Sequence, residues 1–158
     1  ERRECDAAAL AREAAAALAP VAAARGVVLA APPERASVPA LLDEEGIRQA
    51  LLNLVGNALD VTPEGGAVRI AAALVGDDVR IEVADSGPGV PPEMRERIFE
   101  PFFTTRRQGT GLGLAVVERV ALSHGGAVRI LDAPEGGALF RIELPARPDG
   151  ADGEDLLD

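Results

Sequence analysis

The sequence has no Trp, no Tyr and only four Phe among its 158 residues. A core must therefore be built from Ala, Val, Leu and Ile. Three of the scarce aromatics, Phe99, Phe102 and Phe103, sit together in one short stretch. Cys5 is the only cysteine, which excludes an intrachain disulfide. A cytosolic setting fits, and a longer parent could still be membrane-anchored. No apolar run approaches the ~20 residues of a membrane span, and no signal peptide is visible. Basic residues are outnumbered 16 to 26, for a formal net charge of −10. This argues against nucleic acid and anionic membranes as partners, because both require a basic face. It does not exclude a small phosphorylated anion held by backbone N–H groups and a metal. There is no initiating Met, so the chain is expected to be a piece of something longer. No internal repeat is present.

What remains is ordinary for a soluble globular protein: 47% hydrophobic and 27% charged residues. The length suffices for one domain with a real core. We expect that domain to span residues 1–145. In the tail, 146–158, Asp149, Asp152, Glu154, Asp155 and Asp158 cluster, and this segment is expected to be disordered.

Asp6 can cap a helix that begins at Ala7 and runs through an Ala-rich stretch to Arg25. Pro20 should kink or divide it, and Gly26 suits the position after its end. Residues 27–31 read as a short strand. Residues 37–42 read as a weak strand in which Pro39 suggests an edge. The clearest helix spans 44–60, with Ile47, Leu51, Leu54, Val55, Ala58 and Leu59 as its apolar stripe. Strands at 67–75 and 79–84 form a hairpin. Pro91 and Pro92 open a single helical turn through Ile98, and residues 101–109 lack periodicity. A helix from Thr110 or Gly111 to Ser123 precedes a last hairpin, 127–131 with 138–144. Hairpins imply antiparallel pairing. Three long helices cannot cover both faces of such a sheet, so an α/β two-layer sandwich with helices on one face is expected.

The stretch from Asp85 to Leu114 carries the chemistry. Asp85-Ser86-Gly87-Pro88-Gly89 follows a strand, and Gly109-Thr110-Gly111-Leu112-Gly113-Leu114 precedes a helix. Glycine repeated at two such places suits close approach of a phosphate or a base to bare backbone. Free N–H groups at a helix start, with the helix dipole, favour an anion. No Lys follows the last glycine, so this is not a P-loop. Asp85 is either a turn residue bonding its own backbone or a carboxylate that accepts from an exocyclic amine. Asn53 and Asn57, one helical turn apart, either bond a neighbouring loop or present amide oxygens to a hard cation such as Mg²⁺.

Taken in order, Asn53-x-x-x-Asn57-Ala58, Asp85-x-Gly87-x-Gly89, Phe99-Glu100-Pro101-Phe102-Phe103-Thr104-Thr105 and Gly109-Thr110-Gly111-Leu112-Gly113-Leu114 resemble four boxes of one family. They are the N, G1, F and G2 boxes of the catalytic, ATP-binding domain of two-component sensor histidine kinases. The Phe-Glu-Pro-Phe-Phe-Thr-Thr wording is most similar to the nitrogen-regulator type. The resemblance implies the Bergerat fold of GHKL ATPases, three helices on a mixed five-stranded sheet. By resemblance, Asn57 would ligate Mg²⁺ with Asn53 beside it. Asp85 would read the adenine amine, and Gly87 and Gly89 would shape the base pocket. Gly109, Thr110, Gly111, Leu112, Gly113 and Leu114 would line the phosphates. Thr105 and Arg106 would belong to a lid anchored by Phe102 and Phe103, with Arg106 able to bind phosphate oxygens.

The same resemblance implies partners. A phosphoacceptor His would sit on a helical hairpin, in the same or a partner chain, and a response-regulator receiver would take the phosphate onward. The fragment itself is expected to be monomeric and the parent a homodimer. Some positions depart from the family pattern. Asp60 stands where a basic residue or Gln is common, Val61 where an aromatic often packs on adenine, and Ala138 where Ser or Thr is frequent. Two other readings stay open: a GHKL serine kinase of the anti-sigma type, and a degenerate nucleotide-binding module that regulates without catalysis. The single histidine, His124, precedes Gly125-Gly126 at a helix end and reads as a structural cap. The hairpin is therefore expected to be missing, and the fragment should not phosphorylate itself. Hydrolysis in related ATPases needs a carboxylate base one turn before the metal ligand, where this chain has Asn53. Slow ATP turnover by the chain alone is the expected outcome of a steady-state phosphate-release assay. Turnover that disappears only on replacing Glu44 or Glu45 would sink that expectation.

Overall fold

The computed structural model describes residues 1–101, 103 and 113–147. Strand β1 (Arg3–Asp6) leads into helix α1 (Ala7–Arg25), followed by β2 (Val28–Ala30), β3 (Pro39–Leu42) and helix α2 (Glu44–Val61). Strands β4 (Ala67–Val75) and β5 (Asp78–Asp85) form a hairpin. Two 3₁₀ turns, Pro92–Met94 and Arg97–Phe99, follow. Helix α3 (Gly113–Ser123) and the hairpin β6 (Ala127–Asp132) and β7 (Ala138–Pro145) complete the described chain.

Five strands make one mixed sheet in the order β2-β4-β5-β7-β6. Only β2 and β4 are parallel; the other three pairings are antiparallel. The period of two sorts each strand into two faces. Val68, Ile70, Val79, Ile81, Val83, Phe140, Ile142 and Leu144 point inward and are buried. The opposite face carries ion pairs between side chains: Arg141 to Glu82 at 2.6 Å, Arg69 to Glu135 at 3.2 Å and Arg129 to Glu143 at 3.3 Å. The helices therefore cover one face only, as expected, and all three contact the sheet there. α1 buries Ala7, Ala8, Leu10, Ala11, Ala14, Ala15 and Ala22. Alanine packing lets that helix lie close, which compensates for the lack of large aromatics.

Several details differ from the sequence expectation. β1 was not expected, because Arg3-Glu4-Cys5-Asp6 shows no apolar alternation. It exists because β3 offers an antiparallel partner in a separate two-stranded ribbon. Pro20 neither divides nor ends α1. It and Ala16, whose carbonyl loses its partner, both lie on the exposed side, where water can take the bond. α1 has the length and hydropathy of a membrane span, although Arg12 and Glu13 interrupt its apolar run. Arg12 donates to the carbonyls of Pro33 and Ala36, and Glu13 pairs with Arg48, so both anchor the helix to the protein. The single helical turn after Pro91 is two separate 3₁₀ turns. Ala146, expected in the tail, is buried; its N–H donates to Asp77 and its carbonyl accepts from Leu41. Residues 148–158 lie outside the described residues.

Two polar residues tie elements together. His124 is 3% exposed. Its Nε2 accepts from the Asp43 N–H at 3.0 Å, and its Nδ1–H donates to the Val120 carbonyl at 2.8 Å. The neutral Nδ1–H form thus joins the end of α3 to the cap of α2, which makes His124 structural, as expected. Asp6 Oδ1 accepts from the N–H groups of Val38, Ala8 and Ala9 at 2.7, 3.0 and 3.4 Å. Burial alone would raise its pKa; the backbone donors outweigh it and hold the carboxyl below its ordinary value. A depressed carboxyl contributes stability above its unfolded pKa of about 3.9 and loses it as pH falls through the folded value. Asp6→Ala should therefore cost about 1–2 kcal/mol at pH 7, read from urea midpoints. The gap to the parent should close as pH falls below the folded value; a gap of equal size at low pH would contradict this.

Candidate functional site

A cavity of about 540 Å³ opens between α2, the end of β5, the 3₁₀ turns and the start of α3. Asp85, the last residue of β5, closes one end of it. The register of β5 on β7 sets Ala84 opposite Leu139, which brings the 137–138 backbone beside Asp85. Its Oδ1 accepts from the Gly87 N–H at 2.8 Å and the Ala138 N–H at 3.2 Å. Both recorded bonds fall on that one oxygen. Asp85 is 2% exposed. Burial pushes its pKa up, the Gly87 and Ala138 donors oppose the shift, and the Glu135 charge adds to it.

This crowding explains the glycines. A Cβ on Gly137 would lie 2.1 Å from Asp85 Oδ1, and one on Gly87 would lie 2.8 Å from the Val61 carbonyl oxygen. Gly89 sits at φ +78°, which L side chains rarely adopt. Gly137 was not foreseen as a site residue. The tandem Gly136-Gly137 was visible, but it reads as a hairpin turn. Only Gly136, at φ +105°, serves the turn; Gly137 serves the approach to Asp85.

α2 forms one long wall of the cavity. Asn53 lies at the α3 end, where its Nδ2 donates to the Gly113 carbonyl at 3.2 Å. Asn57, one turn on, lines the cavity, and no hydrogen bond to its side chain is recorded among the described residues. Asp60 and Val61 follow toward Asp85. Asp60 Oδ1 pairs with Arg25 Nη2 at 2.9 Å. The opposite wall is apolar, with Val90, Met94, Ile98 and Phe103. The Arg97 guanidinium lies 5.1 Å from the Phe103 ring centroid, a cation–π contact. Arg95 braces this wall by donating to the Val90 carbonyl and pairing with Asp132.

Among the described residues, the fold gathers Asn53, Asn57, Asp85, Gly89, Phe103, Gly113 and Leu114 around one space, with Gly87 against Asp85. Phe102, Thr105, Arg106, Gly109, Thr110, Gly111 and Leu112 lie outside the described residues. The wall residues Met94 and Ile98 were not foreseen, because an apolar residue beside a turn carries no signal of its own. Glu44 and Glu45 do not line the cavity; they bind Arg48 at the far end of α2. No described Arg lines it either.

The family model for histidine kinase-, DNA gyrase B- and HSP90-like ATPases matches residues 42–148. The nitrogen regulation protein NtrY of Azorhizobium caulinodans is 43% identical over 118 residues, covering 70% of this chain and 15% of NtrY. The chain thus spans well under a third of that relative. The catalytic domain of histidine kinase ThkA superposes with a TM-score of 0.86 at 33% identity, covering 94% of this chain and 98% of that one. Full-length ShkA, solved with AMPPNP, superposes with a TM-score of 0.79 at 39% identity, covering 92% of this chain and 31% of ShkA. ThkA has also been solved in complex with the response regulator TrrA.

A carboxyl whose folded pKa is raised contributes most to stability below its unfolded value, and that contribution falls as pH rises through the folded value. Asp85→Asn keeps an Oδ1 acceptor for Gly87 and Ala138 and removes the buried charge. Its melting temperature should equal or exceed the parent's at pH 7.5 and fall below that advantage near pH 3. A variant clearly less stable at pH 7.5 would contradict the assignment.

Proposed function

The chain belongs to the histidine kinase-, DNA gyrase B- and HSP90-like ATPases, and we propose that it binds ATP with Mg²⁺ as the catalytic unit of a sensor histidine kinase of nitrogen-regulator type. The observation that carries this is Asp85: a buried carboxylate lining the cavity, with Oδ1 held by two backbone donors. Adenine carries an exocyclic amine that donates to such an acceptor. Val61, Met94, Ile98 and Ala138 add apolar side chains to the lining of the same cavity. The phosphates then run along α2 toward Asn57, Asn53 and Gly113. By the family resemblance, Gly109, Thr110, Gly111, Leu112, Gly113 and Leu114 would offer backbone N–H groups to them, and Thr105 and Arg106 would belong to a lid anchored by Phe102 and Phe103.

The residues present fit the metal. The described residues hold no group of three or more His, Cys, Asp and Glu that could ligate an ion alone. An ion held through the amide oxygen of Asn57 and phosphate oxygens matches the oxygen preference and partial hydration of Mg²⁺. Asn57 would hold it, with Asn53 beside it. Bound there, it offsets the charge of the phosphates.

The chain's own work is to hold ATP still and in line, with water excluded by the apolar wall. A neutral imidazole already has an attacking lone pair, so no carboxylate base is required. His124 cannot serve, because both of its ring nitrogens are bonded in the core. The acceptor histidine lies on a dimerisation hairpin of the parent protein, in the same or the partner chain. Its nitrogen attacks the γ-phosphorus, and the bond to the bridging oxygen breaks. ADP leaves with that electron pair, and the ring N–H proton passes to solvent. A response-regulator Asp then takes the phosphate, as the ThkA–TrrA pairing suggests. Calorimetry tests the nucleotide site. Asn57→Ala should weaken ATP binding in Mg²⁺ by at least ~10-fold, about 1.4 kcal/mol. Chelating the metal should bring the parent to the same level and leave the variant unchanged. No heat from the parent with ATP and Mg²⁺ would overturn the reading. Mixed with its native hairpin, the chain should yield acid-labile phosphate on histidine; acid-stable phosphate would assign it to serine kinases instead.

A further inference from the structure

The apolar wall of the cavity belongs to the stretch 88–99, which has little structure of its own. Its only regular pieces are the 3₁₀ turns Pro92–Met94 and Arg97–Phe99, three residues each. Turns this short hold few internal bonds. Val90, Met94 and Ile98 line the cavity and pack against the core. Apolar packing has no direction, so it does not by itself fix where such a wall stands. Arg95 supplies the direction. Its Nη1 donates to the Ile130 carbonyl at 3.4 Å, and its Nη2 pairs with Asp132 Oδ1 at 2.8 Å. Both partners lie on β6, the edge strand of the sheet. Among the described residues, these are the recorded hydrogen bonds that join 88–99 to another element. The Arg95 Nε closes the brace by donating to the Val90 carbonyl at 3.1 Å.

Arg95 does not itself line the cavity. We propose that it is a positioning residue of the nucleotide site: it fastens Val90 and Met94 to β6 before the ligand arrives and so sets the affinity for the base. This rests on the ATP-binding reading above. A wall already in place costs no ordering when the ligand binds, whereas a loose wall must be ordered at the expense of affinity. The Asp132 side chain is 90% exposed, so its ion pair alone is worth little. Its part is to aim a planar fork whose other two donors take carbonyls, a geometry that Lys cannot reproduce. In the same reading the phosphates lie along α2 and the start of α3. The brace therefore acts on the base end and is independent of the metal.

Calorimetry on the whole chain tests this with ATP in Mg²⁺ and with ATP in chelator. Arg95→Ala should weaken binding about ten-fold, and by the same factor in both conditions. Asn57→Ala, by contrast, acts only when the metal is present. Arg95→Lys should fall between the parent and Arg95→Ala. Asp132→Ala should weaken binding about two-fold in the parent and not at all in Arg95→Ala, because Asp132 acts only through the guanidinium. Unchanged affinity in Arg95→Ala overturns the inference, as does a loss seen only with Mg²⁺. An equal effect of Asp132→Ala in both backgrounds overturns it too. Should Arg95→Ala fail to fold, Arg95→Lys and Asp132→Ala carry the test, and parental affinity in both overturns the inference. A parent that binds ATP in neither condition defeats the ATP reading itself, a result distinct from variants that bind as the parent does.

Discussion

Everything at the β5 end of the cavity depends on one oxygen atom. Asp85 Oδ1 takes the N–H groups of Gly87 and Ala138, and the Gly137 N–H bonds the Asp85 carbonyl at 3.1 Å. Those contacts weld the end of β5, the turn after it and the β6–β7 hairpin into one corner. Two glycines are required because the backbone comes in from two sides at once. The corner buries a carboxylate, which is costly in the absence of a cation. The neighbouring antiparallel pairings hold it in place. In the reading proposed above, that cost is offset by a ligand that donates to the carboxylate.

α2 unites the core with the site. Its inward stripe packs under the sheet, and Ile47, Leu51, Val55 and Leu59 are fully buried. The adjacent face carries Asn53, Asn57 and Asp60 along the cavity. Three contacts hold the helix in register with its neighbours: His124 at its cap, Gly113 against Asn53, and Arg25 against Asp60. None of these partners is adjacent in sequence to α2. Each ties it to a different element, so the spacing of its polar residues becomes a spacing within the site.

The charge of the chain is distributed to match. All 16 cations are arginines, and the chain has no lysine. On the open face of the sheet they pair with glutamates in a ladder. Partly exposed pairs of this kind are worth little individually, and their effect is to keep an uncovered sheet face polar. At the cavity the described wall offers no guanidinium directly. In the reading proposed above, compensation for phosphate charge would fall to backbone N–H groups, to a metal at Asn57 and to Arg106.

Local signals in the sequence determined the elements and the chemistry types. The stripe on α2, the hairpins, the Asp6 cap and the mid-helix asparagines were legible because each depends on neighbours within a turn or two. The ordered boxes extended this to the family. Signals that depend on distant partners were not legible. β1 has no pattern of its own and forms only against β3. Pro20 is tolerated because its side of α1 faces water. Gly137 looks like half of a turn until strand register sets it beside Asp85. Asp60 was visible only as a departure from the family pattern, and the fold sets Arg25, from the end of α1, against it. Sequence alone determined which groups could act. The tertiary structure decided where each stands along the cavity, because that position is set by contacts between residues far apart in the chain.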